Sequence, residues 1–368
     1  MRLSFRQRIR PTLLRRSLKT SLKTAAAAFA ACFLCVSAVG CSSQNSSKSD
    51  SNLKKVTFML WWTPDADHSG IYVAKEKGWF KEAGLDVDII AVSQAGSEHA
   101  VAEGTADFSL STTANVVNYD ATMDAGLVEV MQFNYKPSAV WCSKKSNTAI
   151  SSPKDFSGKT FATFGTSEDI AVVKRMIEFD GGKPEFDSVT VGTSTFETVA
   201  AGQADFGAFY RTWEGVQADI EGPEMNCFVP SDYGVPGNPD PIGLITNQKM
   251  INEEPDTVRA FTKAALKGYE YAREHPGEIA QILADGAPGA DVNKKLVTKA
   301  MEMIVNEGYW EDKEKFESGE LKFGQNEYVE TQKYIDFLKQ SKAYASPSGK
   351  IVEDIPDVKD VAPNDYLQ

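Results

Sequence analysis

"VTFMLWWTPDADHSGIYVAKEKGWFKEAGLDVDIIAV", residues 56–92, decides the fold. The run "VTFMLWW" is apolar and β-rich, and "TPD" stops it, so it reads as a buried strand. The following "SGIYVAKEKGWFKEAG" brings back Ile71, Ala74 and Phe80 at near-helical spacing, and a glycine closes it. A second strand, "LDVDIIAV" (85–92), completes a strand–helix–strand unit. Such a unit predicts an α/β fold and favours a parallel sheet.

Beyond this unit the chain repeats itself. "VAEGTADF" at 101–108 returns as "VAAGQADF" at 199–206, identical at six of eight positions. Each copy ends a helix at a glycine, Gly104 or Gly202, and starts a short strand at Ala-Asp-Phe. The repeat predicts two similar α/β lobes. One crossing between them is expected at "VMQFNYKPSAVWCSKKS" (130–146), and the return at "DYGVPGNPDPIGLITNQ" (232–248). Residues 55–143 and 240–368 are therefore assigned to a first lobe and 144–239 to a second. The rest of the chain reads as helices. In 253–276, Val258, Phe261, Ala265, Leu266 and Tyr269 make one apolar stripe, with acids early and Arg/His late. Two lobes joined by two crossings should hinge about a ligand cleft.

The first 40 residues stand apart from this pattern. Eight basic residues and no acid precede the apolar run "AAAAFAACFLCVSAVG" (25–40), which is too short to span a bilayer and reads as an export signal. "AVGC" (38–41) is similar to a bacterial lipobox, although leucine is more usual at Ala38; Cys41 would then carry the lipid. The polar, Ser-rich 41–54 would be a flexible tether. Together these features predict an anchored protein on the extracytoplasmic face of the cell membrane. Taking the eight leader residues from 39 Lys+Arg leaves 31 against 51 Asp+Glu. So acidic a body has no electrostatic footprint for nucleic acid. Cys142 and Cys227 are free or bridged; their spacing does not decide. Three scattered histidines, His68, His99 and His275, argue against a metal site, and no cofactor is implied.

In open α/β sheets ligands bind beyond the carboxyl ends of strands. Trp61 and Trp62 stand at such an end, and strand alternation would send one to the core and one, Trp62, to the crevice. Asp67 is either an N-cap or a cleft carboxylate, and His68 a cleft or a surface residue. With an aromatic ring they would suit a flat, polar heterocycle.

The stretch Trp62, Thr63, Pro64, His68, Gly70, Tyr72, Val73, Ala74 and Gly78 resembles the N-terminal motif of the NMT1/THI5-like family of periplasmic-type binding proteins. It is especially similar to the branch that binds pyrimidine precursors of thiamine, with Asp65 replacing that branch's asparagine. "AFYRTWEGVQADIEG" resembles the family's aromatic-Trp-Glu segment, and "DYGVP" (232–236) its Tyr-Gly-Val-Pro turn. The resemblance implies a two-lobed type II periplasmic-binding-protein fold. It implies that an aromatic ring stacks on the ligand and a carboxylate reads ring or exocyclic nitrogens, and it nominates Tyr210, Trp213, Glu214 and Tyr233. Ser111 and Thr112 stand where that branch carries a more aromatic or amide-bearing segment. The implied role is capture of a hydroxymethyl- or formylamino-pyrimidine, or a similar heterocycle, for an ABC permease, without catalysis. Two alternatives are a sulfonate, taurine or nitrate binder and a pyrimidine-phosphate synthase. The first would want more cleft bases than Arg211, and the second a cysteine-rich iron motif that residues 41–368 lack.

Overall fold

The computed structural model describes residues 53–346 and 348–367. The expected signal, tether and Cys41 lie outside the described residues. Ten strands follow in order: β1 (Lys54–Met59), β2 (Leu85–Ile90), β3 (Ser109–Thr112), β4 (Leu127–Gln132), β5 (Ala139–Lys144), β6 (Thr160–Thr163), β7 (Asp187–Thr190), β8 (Phe206–Tyr210), β9 (Met225–Phe228) and β10 (Ile242–Asn247).

They build two lobes on one plan. In the first, β1 pairs in parallel with β2 and forms a parallel bridge from Phe58 to Phe108, the residue before β3, while β10 runs antiparallel between β3 and β4. In the second, β6 lies parallel between β7 and β8, and β5 runs antiparallel between β8 and β9. The sheets are thus mixed rather than parallel. The reason is that β5 and β10 each enter their sheet from the other lobe and cross it in the reverse direction. β5 belongs to the second sheet, so the chain changes lobe at 133–138, ahead of the boundary drawn at 144.

The repeated octapeptide has the same job in both lobes. Gly104 and Gly202 end a helix at φ +70° and +74°, a conformation that a β-carbon disfavours. Asp107 then accepts from the Thr57 N–H at 2.8 Å, and Asp205 from the Thr160 N–H at 2.9 Å. Each aspartate fixes the register between its own strand and the one that ends at the cleft. Phe108 and Phe206 follow, fully buried, and stack on Phe261 and Phe156.

The helix Ser69–Glu76 crosses the helix Pro255–Glu274 at Gly70 and Gly268, where a β-carbon on either would collide with the other segment. The predicted stripe Val258, Phe261, Ala265 and Tyr269 is buried there, and Leu266 is half-buried. Cys142 and Cys227, a cross-strand pair of β5 and β9, form a disulfide. The helix Val329–Gln340 packs against both lobes: Tyr334 joins a core shared with Phe161 and Val173 of the second lobe and Val116 of the first.

Candidate functional site

β1 stops at Met59; Leu60 still donates to Ile90 O at 2.9 Å, and the chain then bends away. The bend is held from within. The Trp61 N–H donates to His68 Nε2 at 3.3 Å, and His68 Nδ1 lies 2.7 Å from Asp65 Oδ1. Asp65 also caps the short turn Ala66–His68 by accepting from the Asp67 N–H at 3.0 Å. The cap is therefore Asp65, and the Asp67 carboxylate is left to line the cleft. Because the strand has ended, alternation no longer governs the two tryptophans. Both are half-buried and both face the cavity, Trp61 near Tyr210 (6.1 Å between centroids) and Trp62 edge-on to Phe164 (5.5 Å).

The second lobe supplies the opposite wall. Tyr210 ends β8, and its N–H donates to Glu214 Oε2 at 2.9 Å. Phe164 follows β6 at the place that Trp61 occupies after β1, counting from the paired Thr57-Phe58 and Thr160-Phe161. Glu168 and Asp169 open the helix Ser167–Phe179; Asp169 accepts from Thr163 Oγ1 at 2.6 Å, and Glu168 from the Tyr334 hydroxyl at 2.7 Å. At the crossings, buried Asp240 accepts from the Ser138 N–H at 2.9 Å, from the Ala139 N–H at 3.3 Å and from the Ser138 hydroxyl. That carboxylate ties one crossing to the other.

These walls enclose a cavity of about 190 Å³. Seven carboxylates line it: Asp65, Asp67 and Glu98 from the first lobe, Glu168, Asp169 and Glu214 from the second, and Asp240 between them. Among the described residues no lysine, arginine or histidine lines it. Arg211, the base nearest in sequence, pairs outward with Asp219 at 2.8 Å. Burial pushes the Glu168 carboxyl up to about 8, those of Glu214 and Asp240 to about 7, and that of Asp169 to about 6. Asp67 is raised well above the usual range, by burial first and then by Asp65, Asp240 and Glu214. So acidic a chamber favours a ligand rich in N–H or O–H donors, or one carrying positive charge. Two of its lining residues, Trp61 and Trp141, carry indole N–H groups that are buried without a protein partner. A ligand with an acceptor as well as donors would satisfy both sets.

Of the residues nominated from sequence, the cavity brings together Trp62, Asp67, Thr112, Tyr210, Trp213 and Glu214. Three stand outside its lining. His68 is fully buried, bonded as above and edge-on to Phe58, so it shapes the loop. Ser111 donates to Glu98 Oε1 at 2.7 Å and acts only through that carboxylate. Tyr233 packs on Phe228 in a turn held by Arg175, whose Nε donates to Gly234 O at 2.8 Å. Sequence reading missed Trp141, Phe164, Glu168, Asp169, Asp240 and Tyr334. The offset between Thr57-Phe58 and Thr160-Phe161 could have found Phe164.

The chain matches the model of the family described as NMT1/THI5 like over residues 65–279. It is 32% identical over 246 residues to the formylaminopyrimidine-binding protein of Halalkalibacterium halodurans, covering 65% of this chain and 72% of that one. It is 22% identical over 250 residues to the 4-amino-5-hydroxymethyl-2-methylpyrimidine phosphate synthase of Candida albicans, covering 61% and 69%. Among solved structures, the periplasmic aliphatic sulphonate binding protein SsuA of Escherichia coli superposes with a TM-score of 0.56 at 13% identity, over 81% of this chain and 90% of that one. The superposition shows a shared periplasmic-binding-protein fold. The extent of the family match makes the chain a member of the NMT1/THI5 like family.

Proposed function

We propose that the protein captures a thiamine-precursor pyrimidine, of the hydroxymethyl or formylamino type, outside the cytoplasm and delivers it to an ABC permease. The observation that carries this reading is the cavity: seven carboxylates, eight aromatic side chains and no base among its described residues. Aminopyrimidines offer a flat face for stacking, exocyclic N–H donors for the carboxylates and ring acceptors for the free indole N–H groups. The 32% identity to a formylaminopyrimidine-binding protein supports the same ligand class.

The Cys142–Cys227 disulfide supports an oxidising, extracytoplasmic compartment. The leader and Cys41 support a lipid anchor, and among the described residues no helix is long and apolar enough to cross a membrane. Trapping needs no covalent chemistry, since aromatic groups from opposite lobes already face each other across the site. An anion such as a sulfonate is disfavoured, because it would enter among carboxylates with no lining base to meet it. The synthase reading is weakened by His68, which is buried and committed to Asp65 and Trp61, and by the tying of Cys142 to Cys227. Mass spectrometry of ligand released by denaturing protein purified from its native host tests the proposal. A pyrimidine mass is expected; a sulfonate mass would refute it.

A further inference from the structure

Three residues of the cavity wall face a second space as well. Trp62, Trp213 and Glu214 also line a second chamber, of about 500 Å³. Its walls come from both lobes: residues 290–293 and Leu296 on one side, Thr193, Ser194 and Glu197 on the other. Beside it the lobes are fastened, with Asn293 Nδ2 donating to Glu221 Oε1 at 3.2 Å. A ring lying against Trp213 in the inner cavity would therefore sit next to this chamber.

The outer chamber has its own chemistry. Glu197 and Asp291 are exposed carboxylates that share its lining with Glu214, and Thr63, Thr193 and Ser194 add hydroxyls. Among the described residues no lysine, arginine or histidine lines it. We propose that this chamber is a second subsite, which receives a non-anionic, hydrogen-bond-donating substituent carried by the ligand's ring and rejects a phosphate ester. The proposal rests on the reading of the inner cavity as a heterocycle site. A phosphate here would bring its charge beside three carboxylates without a cation to meet it, and like charges placed together at an interface are costly. The inner cavity sets the ring, and the outer chamber sets what the ring is allowed to carry.

The test uses calorimetry with three probes: 4-amino-5-hydroxymethyl-2-methylpyrimidine, thiamine and thiamine monophosphate. Thiamine should bind at least as tightly as the short probe, and its monophosphate about tenfold more weakly or worse. In the double variant Glu197→Gln, Asp291→Asn, both exposed and away from the core, the ratio of thiamine to monophosphate affinity should shrink towards one. Circular dichroism confirms that the variant is folded. Binding of the short probe without thiamine binding would overturn the subsite and leave the inner reading standing. Equal binding of thiamine and its monophosphate, or an unchanged ratio in the double variant, would do the same. If none of the three binds, the heterocycle reading fails and the subsite falls with it.

Discussion

Replacing Glu214 by glutamine removes one charge from the cavity and changes little else in shape. Oε2 already accepts the Tyr210 N–H at 2.9 Å, so the glutamine carbonyl keeps that bond and its amide turns a donor towards the ligand. An exocyclic amino group then loses its acceptor. A hydrogen bond to a charged group contributes about 1.5–3 kcal/mol, which corresponds to about tenfold or somewhat over a hundredfold in affinity. The pH dependence is the sharper signature. Burial holds Glu214 at about 7 in the empty site, while a bound N–H donor prefers the ionised form. Binding must therefore expel a proton at pH 6 and almost none at pH 8, so this group alone weakens wild-type binding about tenfold at pH 6 relative to pH 8. Other cavity acids titrate too, notably Asp67, Glu168, Asp169 and Asp240, and they do so in both proteins. Comparing wild type with variant isolates Glu214. Calorimetry with an aminopyrimidine at pH 6 and pH 8 should show a wild-type advantage about tenfold larger at pH 8. An equal advantage at both pH values, or none, would refute the reasoning.

Truncating the stacking ring in Trp213→Ala should cost on the order of 1–3 kcal/mol, by analogy with stacking of bases on aromatic side chains, and ligand binding should quench tryptophan fluorescence in the wild type; unchanged affinity would remove Trp213 from the site. Ligand-free protein should lose thermal stability as pH rises from about 4 towards about 8 and level off above that. The carboxyls of Asp169, Asp240, Glu214 and Glu168 are raised from ordinary values near 4 to between about 6 and about 8, so the stability they lend is full below about 4 and is lost progressively until pH has passed each folded value. Differential scanning fluorimetry should show a shallower fall in Glu168→Gln, and an identical slope would contradict the assignment. Cys41→Ser should abolish acyl labelling and release the protein from membranes, whereas a wild type retained without label would contradict the anchor.

The sequence made legible those parts of the site that local chemistry writes. The tryptophan pair just beyond β1, the loop acids and the octapeptide repeat each carry their signal within a few residues, and each appears in the structure. The placement of His68 did not follow from its neighbours. Its burial depends on Phe58 packing edge-on and on Asp65 taking the cap, contacts that only the closed loop creates. Glu168 and Asp169 look like ordinary first-turn acids of a helix, which they also are. What turns Glu168 inward is Tyr334, 166 residues beyond it, on the helix Val329–Gln340. Asp240 was hidden in the same way: its partners lie about a hundred residues earlier, at the other crossing. Tyr233 was nominated through the family's turn motif, and that turn serves packing within the second lobe.

An acidic, aromatic cavity should select a donor-bearing heterocycle over an anion. Side-by-side titration calorimetry of the wild type with an aminopyrimidine and with taurine tests it most directly. Saturable one-site binding of the aminopyrimidine is expected, with no detectable heat from taurine. Tight taurine binding with no aminopyrimidine signal would contradict it.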